Sequence, residues 1–390
     1  MIIFLLTFLS AYGAMHLYLF IKAKAALAPA PGLSLTTALF LTVMIVAPIG
    51  VRLLDRHGFH MIARSLAYVS YTWMGLLFFF FWAALCLDVF NLSMKLLALL
   101  PGSETGRLVW GSRQGFLALV LIVVALGILS SLGAWQIRLD RVSLQTAKLP
   151  PRQEPLRIVQ ISDVHLGIMV GQSRLERILG VVQRAKPDLL VCTGDLVDGQ
   201  MDRSARLADM LAQIRPPLGK FAVLGNHEFY AGITQSERFL EEAGFKVLRN
   251  RVHLLGELLN IVGVDDPAGS RYQGSLAAEQ KELSLLSGLN QQRFTLLLKH
   301  RPLVEIESLG HFDLQLSGHT HGGQIFPFSL ITALYYDNQS GLAHLDKGGL
   351  LYVSRGTGTW GPPMRFLSQP HVTVIELSSP DNPRVSVAKP

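Results

Sequence analysis

Gly318-His319-Thr320-His321-Gly322-Gly323 follows a short apolar run at residues 313–317. Two imidazoles spaced two apart among glycines, just past a strand, make a donor group rather than a packing surface. Reading back toward the N-terminus, the arrangement recurs. Residues 294–298 lead into Lys299-His300-Arg301, and residues 220–224 into Gly225-Asn226-His227-Glu228. Residues 188–193 lead into Gly194-Asp195-Leu196-Val197-Asp198, and residues 157–162 into Asp163-Val164-His165. The runs are continuous in Val, Ile and Leu. They alternate with helix-like stretches at 173–184, from about 204, and near 235–243, which is the pattern of an α/β sheet covered on both faces. Further runs at 258–264, 294–298, 313–317, 350–354 and 372–377 predict a second sheet with fewer helices between its strands.

Ligand-binding loops of an open α/β sheet gather at the C-terminal ends of its strands. Here five strand ends in a row finish in carboxylate, imidazole or carboxamide groups. Taken alone, Asp-x-His or Gly-Asn-His is an ordinary turn or cap; five in order are not. Mixed His, Asp and Asn donors suit Mn, Fe or Zn better than Ca or Mg. A carboxylate shared by two such ions lets them clamp an attacking hydroxide and a phosphoryl oxygen together. The adjoining glycines let the turns tighten and the backbone come close to a phosphate.

The ordered set D-x-H, G-D-x-x-D, G-N-H-E, a lone His and G-H-x-H resembles the calcineurin-like metallophosphoesterase superfamily over residues 156 to 377. The G-H-T-H-G-G-Q form and Arg355-Gly-Thr-Gly with Pro363-Met-Arg365-Phe resemble its bacterial membrane-associated branch. The resemblance implies a two-sheet α/β/β/α sandwich carrying two divalent transition-metal ions. It implies one ion on Asp163, His165, Asp195 and His321. The other would lie on Asp195, Asn226, His300 and His319, with Asp195 bridging. By the same resemblance His227 stabilises charge on the phosphate or protonates the leaving group. Asp198 and Glu228 match positions that support the loops. Arg301 departs from the usual pattern, where a smaller or neutral residue follows the lone His, and is read with Arg365 as a support or substrate contact. His371 stands where this branch leads one to expect an acid. His253, His311, His344 and His371 have no matching partners and are read as surface or core histidines. Trp360 and Phe366 are read as core packing, with contact to an acyl chain as the alternative.

The first third of the chain is of another kind. Half of the 390 residues are hydrophobic and 16% charged, which is more apolar than an ordinary soluble protein. Apolar stretches at about 2–21, 33–54, 66–90 and 115–137 are each long enough to cross a bilayer. Residues 78–82, Phe-Phe-Phe-Phe-Trp, have no polar face to offer water. Asp88 falls near the end of its stretch and is read as an interfacial charge. The expected architecture is therefore α/β: a bundle of about four transmembrane helices over residues 1–137, a basic, Pro-containing linker over 138–156, and the catalytic domain over 157–390. Basic residues near the membrane favour a cytoplasmic catalytic domain under the positive-inside rule; the resemblance to the bacterial branch implies a bacterial inner membrane. That side would hold Arg52, Arg56, Arg64, Arg138, Arg141, Lys148 and Arg152. The formal charge of +7 thus belongs to membrane topology, and with no Lys/Arg stripe interleaved with aromatics no nucleic-acid partner is expected. Cys86 and Cys192 are too differently placed to pair.

Three functions compete. The leading one is hydrolysis of a phosphodiester or pyrophosphate in a lipid-linked substrate, motivated by the short tether to the bilayer; a UDP-diacylglucosamine-type precursor is one case that the resemblance suggests. A second keeps the enzyme but gives it soluble nucleotides or phosphoproteins. A third, non-catalytic membrane sensing, is disfavoured by the intact ligand set.

Overall fold

The computed structural model describes residues 2–150, 154–199, 205–269 and 282–380. Pro151 and Arg152 of the expected linker lie outside the described residues. The chain forms two compact units: Met1–Leu132 with Gly361–Met364, and Gly133–Trp360 with Arg365–Pro390.

The helical unit contains α1 (Ile2–Leu27), α2 (Pro31–Arg56), α3 (His60–Leu97) and α4 (Ser112–Trp135). Among the described residues α2, α3 and α4 are each long and apolar enough to cross a membrane, and α1 contains the first expected span. Pro31 opens α2 at a position where its missing N–H costs no hydrogen bond. Its polar side chains pair internally. Lys22 forms an ion pair with Asp88, and Tyr18 Oη donates to the same carboxylate at 2.6 Å. Asp88 is therefore a paired charge rather than simply a solvated one, because α1 brings a cation to it. Trp73 Nε1 donates to His16 Nε2 at 2.9 Å. Met364 packs on Gly75 so closely that a Cβ there would stand 2.6 Å from its Sδ.

The second unit is built on two six-stranded sheets. Its strands are β1 (Arg138–Gln145), β2 (Leu156–Ile161), β3 (Leu166–Gly167), β4 (Leu189–Thr193), β5 (Val197–Asp198), β6 (Lys220–Val223), β7 (Lys246–Val247), β8 (Arg251–Leu255), β9 (Leu259–Val264), β10 (Phe294–Lys299), β11 (Leu314–Ser317), β12 (Gly341–His344), β13 (Leu350–Val353) and β14 (His371–Ser378). The first sheet runs β1-β14-β2-β4-β6-β7 and the second β12-β13-β11-β10-β9-β8. β2, β4, β6 and β7 are parallel neighbours, as are β9, β10, β11 and β13. Helices α5 (Gln172–Ala185), α6 (Ala205–Ala212), α7 (Asn226–Ala231) and α8 (Ile233–Glu242) follow β3, β5 and β6.

Alternation along the strands assembles the layers. Val159, Ile161, Leu190 and Cys192 pack with Ile178, Val182 and Phe239 of the helices. Their neighbours Ile158, Leu189 and Val191 pack on Ile261, Leu296, Leu298 and Leu316 of the other sheet. Leu297 points outward to Leu286, Leu309 and Phe312. Both faces of both sheets are thus covered, which is why their strands are unbroken apolar runs rather than alternating ones.

Two expectations fail. Residues 138–145 are not linker: β1 pairs in parallel with β14 through eight residues, Arg138 against His371 to Gln145 against Ser378. Leu139 packs on one face, Val142 and Leu144 on the other, while the charged residues are tolerated at a sheet edge. The run at 372–377 is not in the second sheet. As β14 it lies between β1 and β2 in the first, antiparallel to β2. Val372 and Val374 face the helices and Ile375 and Leu377 the other sheet, a two-sided burial that suits a central strand of either sheet.

Candidate metal centre

Asp163 and His165 follow β2, Asp195 follows β4, Asn226 and His227 follow β6, His300 follows β10, and His319 and His321 follow β11. All leave the C-terminal ends of strands, three in the first sheet and two in the second, so packing the sheets face to face brings their donors together. Asp163, His165, Asp195, Asn226, His300 and His321 are buried, while His227 and His319 are partly exposed.

Three overlapping groups result: Asp163, His165 and His321; His165, Asp195 and His227; and Asp195, His300 and His319. Within each, one donor atom per residue lies within 4.8 Å of the others. His165 Nε2 stands 3.0 Å from His321 Nε2 and 3.9 Å from Asp195 Oδ2, and His321 Nε2 is 3.6 Å from Asp163 Oδ1. On the other side, His300 Nε2 is 3.1 Å from Asp195 Oδ2, 3.2 Å from Asn226 Oδ1 and 3.1 Å from His319 Nδ1. Asp195 therefore sits between two donor sets.

The backbone is bent to achieve this. Asp163, His165, Asp195, His319 and His321 have φ of 52°, 56°, 51°, 72° and 51°. Non-glycine residues seldom adopt this left-handed region, and such strain collects at functional sites. Glycines are required where another strand end comes close. A Cβ on Gly225 would overlap Asp195 Oδ1, and one on Gly318 would overlap Asp163 Oδ2 and Ser162 Oγ.

Electrostatics favour cation binding. Burial keeps His165, His319 and His321 neutral, with His165 down at about 4 and His319 at about 2. Their lone pairs are therefore available to a metal at neutral pH. His300 is held the other way: although burial lowers it, the Asp195 carboxylate raises it to about 10. His300 Nδ1 faces the Thr193 carbonyl at 2.8 Å, a contact that as a donor leaves Nε2 free on the Asp195 side. Three neutral imidazoles, with His300, carboxylates and a carboxamide converging on them, fit the binding of divalent metal ions.

Residues 156–323 match the calcineurin-like phosphoesterase family. An uncharacterized metallophosphoesterase of Aquifex aeolicus is 42% identical over 264 residues, covering 67% of this chain and all of that one. The chain belongs to the metallophosphoesterase family. A relative from Danio rerio, described as a transmembrane protein with metallophosphoesterase domain, is 33% identical over 80% of this chain and 74% of its own length. A Campylobacter jejuni metallophosphoesterase is 31% identical over 81% of this chain and 85% of its own length. The protein is thus a membrane protein and a metal-dependent phosphoesterase.

Around the candidate ligands of this metallophosphoesterase, the neighbouring groups divide by what they touch. His227 Nδ1 lies 2.8 Å from Asp198 Oδ1. Burial would lower His227, but Asp195 and Asp198 raise it to about 9. Glu228 accepts from the backbone N–H groups of Asp195, Val197 and Gly225 at 2.9, 3.0 and 2.7 Å, so one carboxylate ties two ligand loops together. Arg301 makes a two-pronged contact with Asp266 at 2.7 and 3.2 Å. Asp266 went unnoticed in the sequence; it too follows a strand, β9, but without a motif around it.

Arg365 is buried against backbone carbonyls. It is 1% exposed, and its guanidinium donates to the carbonyls of Gly358, His321 and Arg355 and to His321 Nδ1 at 2.6–3.1 Å. It clamps the His321 turn to the 355–358 loop. His371 is buried between Tyr352 Oη, 3.2 Å from Nε2, and Arg355 Nε, 3.2 Å from Nδ1, and Tyr352 Oη donates to Asp140 of β1 at 2.8 Å. The acid expected at position 371 is replaced by a histidine in a core network. His311 is partly exposed, His253 lies beside Lys246, and His344 is exposed on β12. Trp360, read as core, is half exposed; its ring centroid is 5.8 Å from that of His227. Both cysteines are free.

Proposed function

We propose that this metallophosphoesterase uses two divalent transition-metal ions (Mn, Fe or Zn) to hydrolyse a phosphodiester or pyrophosphate bond in a lipid-linked, membrane-resident substrate. The observation that carries the two-ion reading is Asp195, whose carboxylate belongs to donor groups on both sides. One ion would rest on Asp163, His165, Asp195 and His321, the other on Asp195, Asn226, His300 and His319. When bound, the ions supply Lewis-acid polarisation of a phosphoryl oxygen.

The remaining work falls to the chain. Asp198 holds His227 by Nδ1 and sustains its protonated form, which leaves Nε2 to give a proton to the departing oxygen. Glu228 fixes the Asp195 and Gly225 turns, and Arg365 fixes His321, so the donors are positioned before substrate arrives. Arg301, held by Asp266, remains partly open to solvent and is placed to contact the substrate beyond the phosphate.

The lipid-linked substrate is supported by the membrane-crossing helices in the same chain, which keep the site at a bilayer and raise its effective concentration toward lipid phosphates. Basic residues near the helix ends support a cytoplasmic catalytic unit, and similarity to the Aquifex aeolicus and Campylobacter jejuni proteins supports a bacterial inner membrane. The test compares the full chain in vesicles with a fragment beginning at Gly133. Both should hydrolyse soluble bis(p-nitrophenyl) phosphate at similar rates per site, and the fragment should be much slower on a bilayer-embedded phosphodiester. Equal rates on both substrates would favour soluble nucleotides or phosphoproteins instead. No hydrolysis of either by the metal-loaded full chain would favour a sensor.

A further inference from the structure

Immediately after the metal-site turn, residues 322–336 contain no Asp, Glu, Lys or Arg. Charge-free runs in a water-soluble domain normally turn inward, but this one does not. Phe326, Leu330, Leu334 and Tyr335 are exposed, Leu334 at 81% and Tyr335 at 76%. A second segment, residues 356–370, carries one charge, Arg365, and that side chain is buried. It adds Trp360 and Leu367, the latter 74% exposed. The two segments are joined. Phe366 N donates to Gln324 O at 3.0 Å, Phe326 N donates to Phe366 O at 3.2 Å, and the Gln324 side chain bonds both the N–H and the carbonyl of Trp360 at 2.9 and 2.8 Å. Both joined segments reach the rim of the candidate metal site: the Tyr336 ring centroid lies 5.7 Å from that of His319, and that of Trp360 5.8 Å from that of His227.

Large apolar side chains exposed together on joined segments mark an interaction site. We propose that the 326–335 segment with Trp360 and Leu367 is a bilayer-docking surface, seated among the acyl chains and headgroups of the membrane that the same chain spans. Two observations favour lipid over another protein. The exposed side chains are Phe, Leu, Trp and Tyr, the composition of membrane-interface anchors rather than of a protein interface with a polar rim. In addition, Trp360 directly precedes Gly361–Met364, the four residues that belong to the helical unit, so the surface is continuous in sequence with a segment packed on membrane-crossing helices. Docking brings the metal-site rim to the lipid headgroup layer, and the acyl portion of a lipid phosphoester need not leave the bilayer for its phosphate to reach the ligands. This consequence for substrate rests on the phosphoesterase reading; the docking itself does not.

The test uses the full chain in phosphatidylcholine–phosphatidylglycerol vesicles. Tyr335→Trp puts an indole at a highly exposed position of the surface, and Glu242→Trp adds one on α8 as a control. With bromines on the lipid acyl chains, the emission added at position 335 should be largely lost and that at 242 retained. Equal emission at 335 in brominated and plain vesicles overturns the proposal. So does emission at 335 that follows protein density rather than bromination, which would assign the surface to a second copy. In parallel, the triple variant Leu330→Ser, Leu334→Ser, Tyr335→Ser should keep wild-type hydrolysis of bis(p-nitrophenyl) phosphate. Its hydrolysis of p-nitrophenyl dodecyl phosphate in vesicles should fall at least about tenfold, as for losing one well-buried leucine. An undiminished rate on the dodecyl ester contradicts docking. Failure of the wild type on both esters would refute the phosphoesterase reading and leave the bromine result to decide the docking.

Discussion

His227 differs from its neighbours in having one ring nitrogen committed to Asp198 and no place in the proposed ligand sets. His227→Ala should therefore lower kcat by roughly 10²–10⁴-fold, the usual contribution of an acid–base group, with metal content unchanged. Loss of metal on this substitution would make His227 a ligand. Gly225→Ala should act in the opposite way, because its Cβ would overlap the Asp195 carboxylate. Metal affinity, followed by titration against a chelator, should fall by at least about 10–100-fold, the range seen for disturbing groups that orient ligands. His371 offers a test remote from the metals. Burial, with Arg355 beside it, holds His371 at about 4, against 6.5 when unfolded. The unfolded chain thus binds the extra proton first as pH falls. Stability present above pH 6.5 is lost between 6.5 and 4, by up to about 3 kcal/mol. Thermal melts of His371→Gln should show a shallower decline across that window than the wild type, and parallel curves would refute this account. At this scale the ligand types were readable because metal chemistry demands them in the sequence itself. The role of Arg365 was not, since its partners are backbone carbonyls from distant turns, and carbonyls leave no mark on residue identity.

The strands that carry the candidate ligands were legible for a different reason: burial on both faces makes β2, β4, β6, β10 and β11 unbroken apolar runs. β1 was not legible. Arg138, Asp140 and Arg141 give it the look of a spacer, and its strand state follows from β14 lying alongside. The sheet that holds β14 is not legible either, since a run buried on both faces does not say which sheet holds it. The pairing of β1 with β14 has a consequence for stability. A catalytic fragment beginning at Leu149 should be less stable than one beginning at Gly133, by about 3 kcal/mol or more from the lost packing of Leu139, Val142 and Leu144. It should also aggregate more readily through the bared edge of β14. Equal melting temperatures and solubility would return residues 138–145 to the role of a linker.

For the whole molecule, the chain joins a membrane-crossing helical unit to a two-sheet catalytic unit whose ten-odd ångströms of inter-sheet core bring strand ends from both sheets to one place. The division was visible in composition, because lipid-facing helices and water-facing loops draw on different residues. The return of Gly361–Met364 to the helical unit was not visible, as four residues are too few to shift composition. The central claim is that this assembly holds two metal ions around Asp195 and hydrolyses phosphoesters with them. The most direct measurement is metal analysis of the purified full chain alongside bis(p-nitrophenyl) phosphate hydrolysis, for the wild type and for Asp195→Asn. The account predicts about two transition-metal ions per chain in active wild type, activity lost on chelation and restored by Mn, Fe or Zn, and loss of metal together with activity in the variant. Active protein holding no metal or only stoichiometric Ca, or an Asp195→Asn variant that keeps both ions and full activity, would contradict it.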